Sequence, residues 1–217
     1  MLVHGIGVSS RYFERLVPAL APRGRVISVD LPGFGVAPRP SRPLSIEDFA
    51  LALAASLDRM GVRDCVIVGH SMGTQVATRL ALDRPDLVTA MALLGPVMDP
   101  SDRTAVKAAL RLGHDVLGES IRGNWVVFYD YLRCGIRWYL AILPSMLGYR
   151  IEDDLPKISI PVIVIRGVRD PIARRPWVAA LAARTRWGRA VSVDGARHLV
   201  MHAQPHETAA LIAGAVA

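Results

Sequence analysis

The sequence predicts an α/β protein built on a mostly parallel, doubly wound sheet with helices on both faces. Three observations carry that prediction. Short apolar runs at 64–68, 87–94 and 161–166 alternate with stretches of helical period, the pattern of parallel strands joined by crossover helices. Gly69-His70-Ser71-Met72-Gly73 lies between one such run and a helix, where small residues let a serine occupy a tight, strained turn. Asp170 and His198 each follow a predicted strand by a few residues, and in parallel sheets functional groups gather beyond the carboxyl ends of the strands.

In chain order, Leu2 and Val3 form a short strand ahead of His4-Gly5-Ile6-Gly7. Phe13, Leu16, Val17 and Leu20 then recur at helical spacing, predicting a helix over 10–20 that ends at Pro22 and Gly24. Residues 25–29 read as a second strand, followed by the loop Asp30-Leu31-Pro32-Gly33-Phe34-Gly35 and a proline-rich stretch at 38–43. Ser45 is an N-cap with Asp48 three residues on, opening a helix over 46–60 with Phe49, Leu53 and Leu57 on one face and Gly61 as its stop. The strand at 64–68, a helix at 74–82 and the strand at 87–94 follow. From 99 to about 155 helices broken by glycines take over, and Trp125, Phe128, Tyr129, Tyr131, Trp138 and Tyr139 concentrate there. Those aromatics suit a lid lining an apolar pocket, and they suit packing of the lid on the core equally well. The strand at 161–166, a helix at 173–184, a strand at 190–193 and a closing helix at 206–216 complete a single domain over 1–217, with a cap insert at about 100–155.

A chain that is 52% hydrophobic with mean hydropathy +0.31 is globular and excludes disorder. No apolar run reaches the roughly 18 residues of a membrane span, and no secretion signal opens the chain, so a cytoplasmic protein is expected. A formal charge of +7 raises nucleic acid as a partner. However, Lys107 and Lys157 are the only lysines, and the arginines are scattered without basic runs or interleaved aromatics, which describes a solvated surface. Cys65 and Cys134 lack C-x-x-C spacing, so neither a disulfide nor a metal site is expected.

A serine hydroxyl becomes a nucleophile when a neutral histidine takes its proton and a carboxylate fixes that histidine's tautomer. Ser71, Asp170 and His198 are the candidates. Asp99, after the strand at 87–94, is the rival carboxylate. Asp194 belongs to its turn, and His202 and His206 suit capping or surface roles. His4 and His70 are expected to tie loops together by hydrogen bonds. Attack on a carbonyl places charge on oxygen, and the backbone N–H groups of Ile6 and Met72 are the expected oxyanion donors. A plain glycine turn at Gly5-Ile6-Gly7 is the competing interpretation. G-x-G-x-x-G is absent, and no cofactor is expected.

With its HGIG loop at 4–7, DLPGFG at 30–35, GHSMG at 69–73, IPVIVIRGVRD at 160–170 and ARHLV at 196–200, the whole chain resembles the α/β-hydrolase fold superfamily, specifically its single-domain serine hydrolases with a helical cap. The resemblance implies a cofactor-free hydrolase acting on a carboxylic ester of a small or medium apolar substrate. Carbon–carbon hydrolysis, thioester cleavage and acyl transfer use the same three groups, and a non-catalytic ligand-binding protein is the reading of another class. Ser71 stands where dehalogenase and epoxide-hydrolase relatives carry aspartate, which disfavours both chemistries. Three features depart from the family pattern. The antiparallel hairpin that usually precedes the first strand is absent, so a shortened form of a longer protein is expected, with a bare sheet edge at 25–29 open to self-association. Arg197 replaces a glycine common before the histidine, so it is expected to crowd the site or meet a substrate carboxylate. Thr74 replaces a frequent glycine after the elbow.

Overall fold

A computed structural model describes residues 1–215 of the chain. Strands β1 (Leu2–Val3), β2 (Ser28–Val29), β3 (Cys65–His70), β4 (Val88–Leu94), β5 (Val162–Gly167) and β6 (Gly188–Val193) form one sheet in the order β2-β1-β3-β4-β5-β6, and every neighbouring pair is parallel. Alternate side chains enter different cores: Ile67, Met91, Leu93, Val162 and Val164 pack on one face, and Val68, Ala92, Leu94, Ile163 and Ile165 on the other. Burial of both faces explains why these strands read as continuous apolar runs in the sequence.

Helices α2 (Ile46–Arg59), α3 (Met72–Asp83) and α8 (Arg175–Ala183) supply the first core. The 3-10 turn Ser10–Phe13, α1 (Leu16–Leu20), α9 (Val200–Ala203) and α10 (Pro205–Ala213) supply the second. At α2 the predicted cap is present in full: Asp48 N–H donates to Ser45 Oγ at 3.1 Å and Ser45 N–H to Asp48 Oδ2 at 3.0 Å.

Several predicted elements shift. The helix expected over 10–20 divides into the 3-10 turn and α1, because Pro18 has no N–H to bond back one turn and Pro22 repeats the interruption. Only Ser28–Val29 of the strand expected at 25–29 pairs, and it is the outer strand on its side of the sheet. The closing helix spans Pro205–Ala213, and Val216, its expected end, lies outside the described residues.

Between β4 and β5 the chain runs through α4 (Ala105–Val116), α5 (Ile121–Cys134), α6 (Ile136–Gly148) and α7 (Ile151–Asp154). Thr104 and Ser120 cap α4 and α5 through their hydroxyls, and Gly135, at φ 74, breaks α5 from α6. No helix among the described residues is long and apolar enough to cross a membrane.

Candidate active site

The sheet order reverses beside β1: the chain steps from β1 out to β2, then returns to β3 on the other side. The carboxyl ends of β1 and β3 therefore flank a crevice at the switch point, and the Gly5 loop and Ser71 both emerge there.

Ser71 follows β3 with φ 56 and ψ −124, a conformation that L-residues rarely adopt. The turn is held by Ser71 N–H donating to Leu94 O at 3.0 Å, and by Thr74 donating to Ser71 O from both its N–H (3.0 Å) and its hydroxyl (2.6 Å). Thr74 therefore ties the turn rather than merely filling helix space. Glycine is required around it. A Cβ on Gly69 would strike the Gly73 carbonyl, one on Gly73 the Val3 carbonyl, and one on Gly5 would lie 2.9 Å from Ser71 Cβ and 3.3 Å from its Oγ.

The structure brings His198 and Asp170 together, with Nδ1 3.0 Å from Oδ2 and both side chains buried. Asp170 Oδ1 accepts from the N–H groups of Ile172 at 2.7 Å and Ala173 at 2.9 Å, which leaves Oδ2 for the imidazole. Burial works against the Asp170 charge, but the imidazolium and these donors prevail and hold the carboxyl below its ordinary range. At His198 burial also opposes charge, yet Asp170 first, then Asp115 and Glu119, outweigh it and raise the imidazole to about 9. Gly95, at the end of β4 with φ +53, makes room for the pair: a Cβ there would come 2.9 Å from His198 Nδ1 and 3.4 Å from Asp170 Oδ2. Asp99 is engaged elsewhere, accepting from Ser101 N–H at 3.0 Å, Ser101 Oγ at 2.9 Å and Arg174 at 2.6 Å.

His4 and His70 tie loops, and their partners fix their tautomers. Leu31 N–H donates to His4 Nε2 at 2.9 Å, so Nδ1 carries the proton given to Gly5 O at 2.8 Å. A carbonyl can only accept, so His70 donates from Nε2 to His198 O at 2.9 Å while Nδ1 accepts from the Tyr12 hydroxyl at 2.7 Å. Gly5 N–H in turn donates to Tyr12 at 2.9 Å. Burial first, then the facing His198 imidazole, lowers His70 to about 3 and keeps it neutral. Tyr12 thus links the Gly5 loop to the His198 backbone.

Ser71, His198, Gly5 and Ile6 line one cavity of about 90 Å³, whose remaining wall is largely apolar and includes Val97, Leu112, Val127, Tyr131 and Tyr139. Ile6 faces this cavity, whereas the Met72 side chain is fully buried in the core and only its backbone stands at the start of α3. Neither of their N–H groups donates to a protein acceptor among the described residues. Of the aromatics expected to line a pocket, Tyr131 and Tyr139 do so; Trp138 packs against Gly33 in the core, and Trp125 and Tyr129 point outward. Arg197 does not crowd the centre or stand free for a substrate carboxylate, because His114 O and Asp115 engage its guanidinium at 2.8 and 3.4 Å. Met98, at φ 68 and lining the cavity, carries strain that no sequence pattern indicated.

The profile of the alpha/beta hydrolase family matches residues 1–211. The chain belongs to the alpha/beta hydrolase family. It is 31% identical to the lipase LipV of Mycobacterium tuberculosis, over 98% of this chain and 90% of the relative. Identity is 25% to the (E)-2-((N-methylformamido)methylene)succinate hydrolase of Acinetobacter baylyi, over 95% of this chain and 86% of that one. A thermophilic esterase from Thermogutta terrifontis shares the fold, with a TM-score of 0.84 at 22% identity over 98% and 87% of the two chains. Hydrolysis is the reaction class that membership of the alpha/beta hydrolase family and the two sequence relatives support.

Proposed function

We propose that this alpha/beta hydrolase cleaves a carboxylic ester of a small or medium apolar substrate through a serine-bound acyl intermediate. One observation carries the proposal: a serine in a strained turn and a buried, carboxylate-held imidazole open onto the same small apolar cavity. In this mechanism His198 takes the Ser71 proton at Nε2 as Oγ attacks the ester carbonyl, and Asp170 stabilises the imidazolium. The Ile6 and Met72 N–H groups receive the oxyanion, and each such donor is worth about 3–4 kcal/mol. The C–O bond then breaks, and the alcohol leaves with the proton from His198. Water, deprotonated by His198, attacks the acyl carbonyl, and the acid departs as Ser71 regains its proton. Helices α4–α6 act as the cap that selects the substrate.

Labelling by a fluorophosphonate tests the nucleophile. The wild type is expected to label and Ser71→Ala to lose the label with its fold intact; equal labelling of the variant rejects the assignment, and a wild type that never labels favours the binding-protein reading. With His198 raised to about 9, the neutral base is a minor fraction at pH 7 and predominates above that value. Ester turnover is therefore expected to climb about tenfold per pH unit from neutrality and level off above it. A pH–rate profile already flat at pH 7 would show that the imidazole titrates below neutrality and overturn the upward shift. A larger apolar groove between α4, α5 and α6 shares Ala108, Leu112, Tyr131 and Tyr139 with the cavity, so a chain-length series of p-nitrophenyl esters reports how far an acyl chain extends into it. A vinylogous diketone and a thioester in the same panel separate the other chemistries open to these groups.

A further inference from the structure

His198 is gripped from a direction the triad does not use. Three consecutive residues of its loop bond to one short stretch of the helical segment between β4 and β5. Arg197 donates to His114 O at 2.8 Å and to Asp115 Oδ1 at 3.4 Å. His198 N–H donates to that same Oδ1 at 3.3 Å, and Leu199 N–H donates to Glu119 Oε1 at 2.8 Å. Asp115 is buried near the end of α4, Glu119 lies in the turn after it, and both line the cavity that holds Ser71. From the other side, His70 fixes the His198 carbonyl. The backbone of His198 is thereby bonded at both its N–H and its C=O.

We propose that Asp115 and Glu119 are positioning residues for His198, holding its backbone from α4 and adding two carboxylates to the field that Asp170 exerts on its imidazole. This rests on the role of His198 as the base. The burial of Asp115 and the half-buried position of Glu119 suit the task. Taking a carboxylate out of water is costly, and a site that keeps two of them beside an imidazole makes each strongly felt there. Burial, the largest influence on either group, raises the proton affinity of both carboxyls, with the nearby imidazole opposing it. The charged and titratable groups facing His198 are Asp170 after β5, Asp115 and Glu119 from the helical segment, His70 at the end of β3, and Arg197 beside it. Asp115 and Glu119 favour the imidazolium, so removing their charges makes the neutral base available at lower pH. The second consequence is mechanical: displacing α4 outward pulls on residues 197–199, so the histidine is well placed only while the helices are docked.

The test uses Asp115→Asn and Glu119→Gln, singly and together, with Asp115→Ala. The amide of Asp115→Asn retains an acceptor for the His198 N–H and removes only charge. Its expected effect is a downward move of the acid limb of kcat/KM by about half a unit to one unit, with the double variant moving further. Asp115→Ala also removes the acceptor, and kcat should fall about tenfold with KM little changed, the Asn variant recovering most of that loss. Asp130→Asn is the control. It loosens the same helical segment where Asp130 Oδ2 accepts from Ser9 N–H at 2.8 Å and Ser9 Oγ at 2.6 Å, and it should leave the acid limb in place. If Asp115→Ala does not fold, NMR titration of the His198 ring in the wild type and the double variant gives the same answer without turnover. Superimposable titrations and pH profiles in the folded double variant overturn the proposal. Fluorophosphonate labelling of the wild type, lost in Ser71→Ala, shows separately whether the underlying mechanism stands; if it fails, both fall.

Discussion

Asp170→Asn is expected to lower kcat on a p-nitrophenyl ester by about four powers of ten with little change in KM. The reason is a tautomer. The N–H groups of Ile172 and Ala173 both point at Oδ1, so an asparagine places its carbonyl oxygen there and its NH2 toward His198 Nδ1. Nδ1 must then accept, its proton moves to Nε2, and Nε2 loses the capacity to take a proton from Ser71. Asp99→Asn, in contrast, weakens a contact with Arg174 that is partly solvated, and should cost less than about tenfold. Steady-state kinetics on the two variants compare them directly, and the opposite ranking would transfer the carboxylate role to Asp99.

Gly73→Ala is expected to cost at least about 3 kcal/mol of stability, at the upper end of what overpacking usually does. A Cβ at this position would press on the Val3 carbonyl and come 2.7 Å from the His4 carbonyl, both main-chain atoms of the strand end that carries the Gly5 loop. Backbone cannot rotate aside as a side chain can, so α3 would have to lift from β1 and take the Ser71 turn with it. For a chain of this size the loss lowers the melting temperature by roughly 6–12 °C, which thermal denaturation reads directly. Gly113→Ala in α4 is the contrasting case, since a Cβ there meets nothing within 4 Å. It should stabilise by up to about 1 kcal/mol through helix propensity. Similar melting temperatures for the two variants would refute the steric argument.

The parts of the molecule legible in the sequence are those set by neighbours in the chain. Apolar runs buried on both faces announced the parallel strands, the Ser45–Asp48 spacing announced the start of α2, and the spacing of glycines around Ser71 announced the strained turn. The break in the helix expected over 10–20 also has a local cause, Pro18, which lies inside the apolar period of Phe13, Leu16, Val17 and Leu20. The one-turn helix Val200–Ala203 is too short to produce a period at all. Other features depend on partners distant in sequence. Arg197 could not be read as a ligand of His114 and Asp115, nor Asp115 and Glu119 as supports of the histidine loop, because no motif joins residues so far apart. Gly95 had a signal of its kind, a glycine closing an apolar strand, but its reason lies in a side chain delivered by another strand end.

The placement of β1 between β2 and β3 has a kinetic consequence. One of its neighbours, β3, follows only after β2 has been placed on the other side, and every parallel pair must wait for a complete crossover before its hydrogen bonds can form, the β4–β5 pair for the whole of α4–α7. Loop-closure entropy is thus spent before long-range pairing returns anything, which places refolding of such a topology among the slow classes. During that interval the apolar segments of β3, β4 and β5 are without neighbours and prone to associate between molecules. Recovery after denaturation will consequently depend on dilution and time more than on the depth of the native minimum.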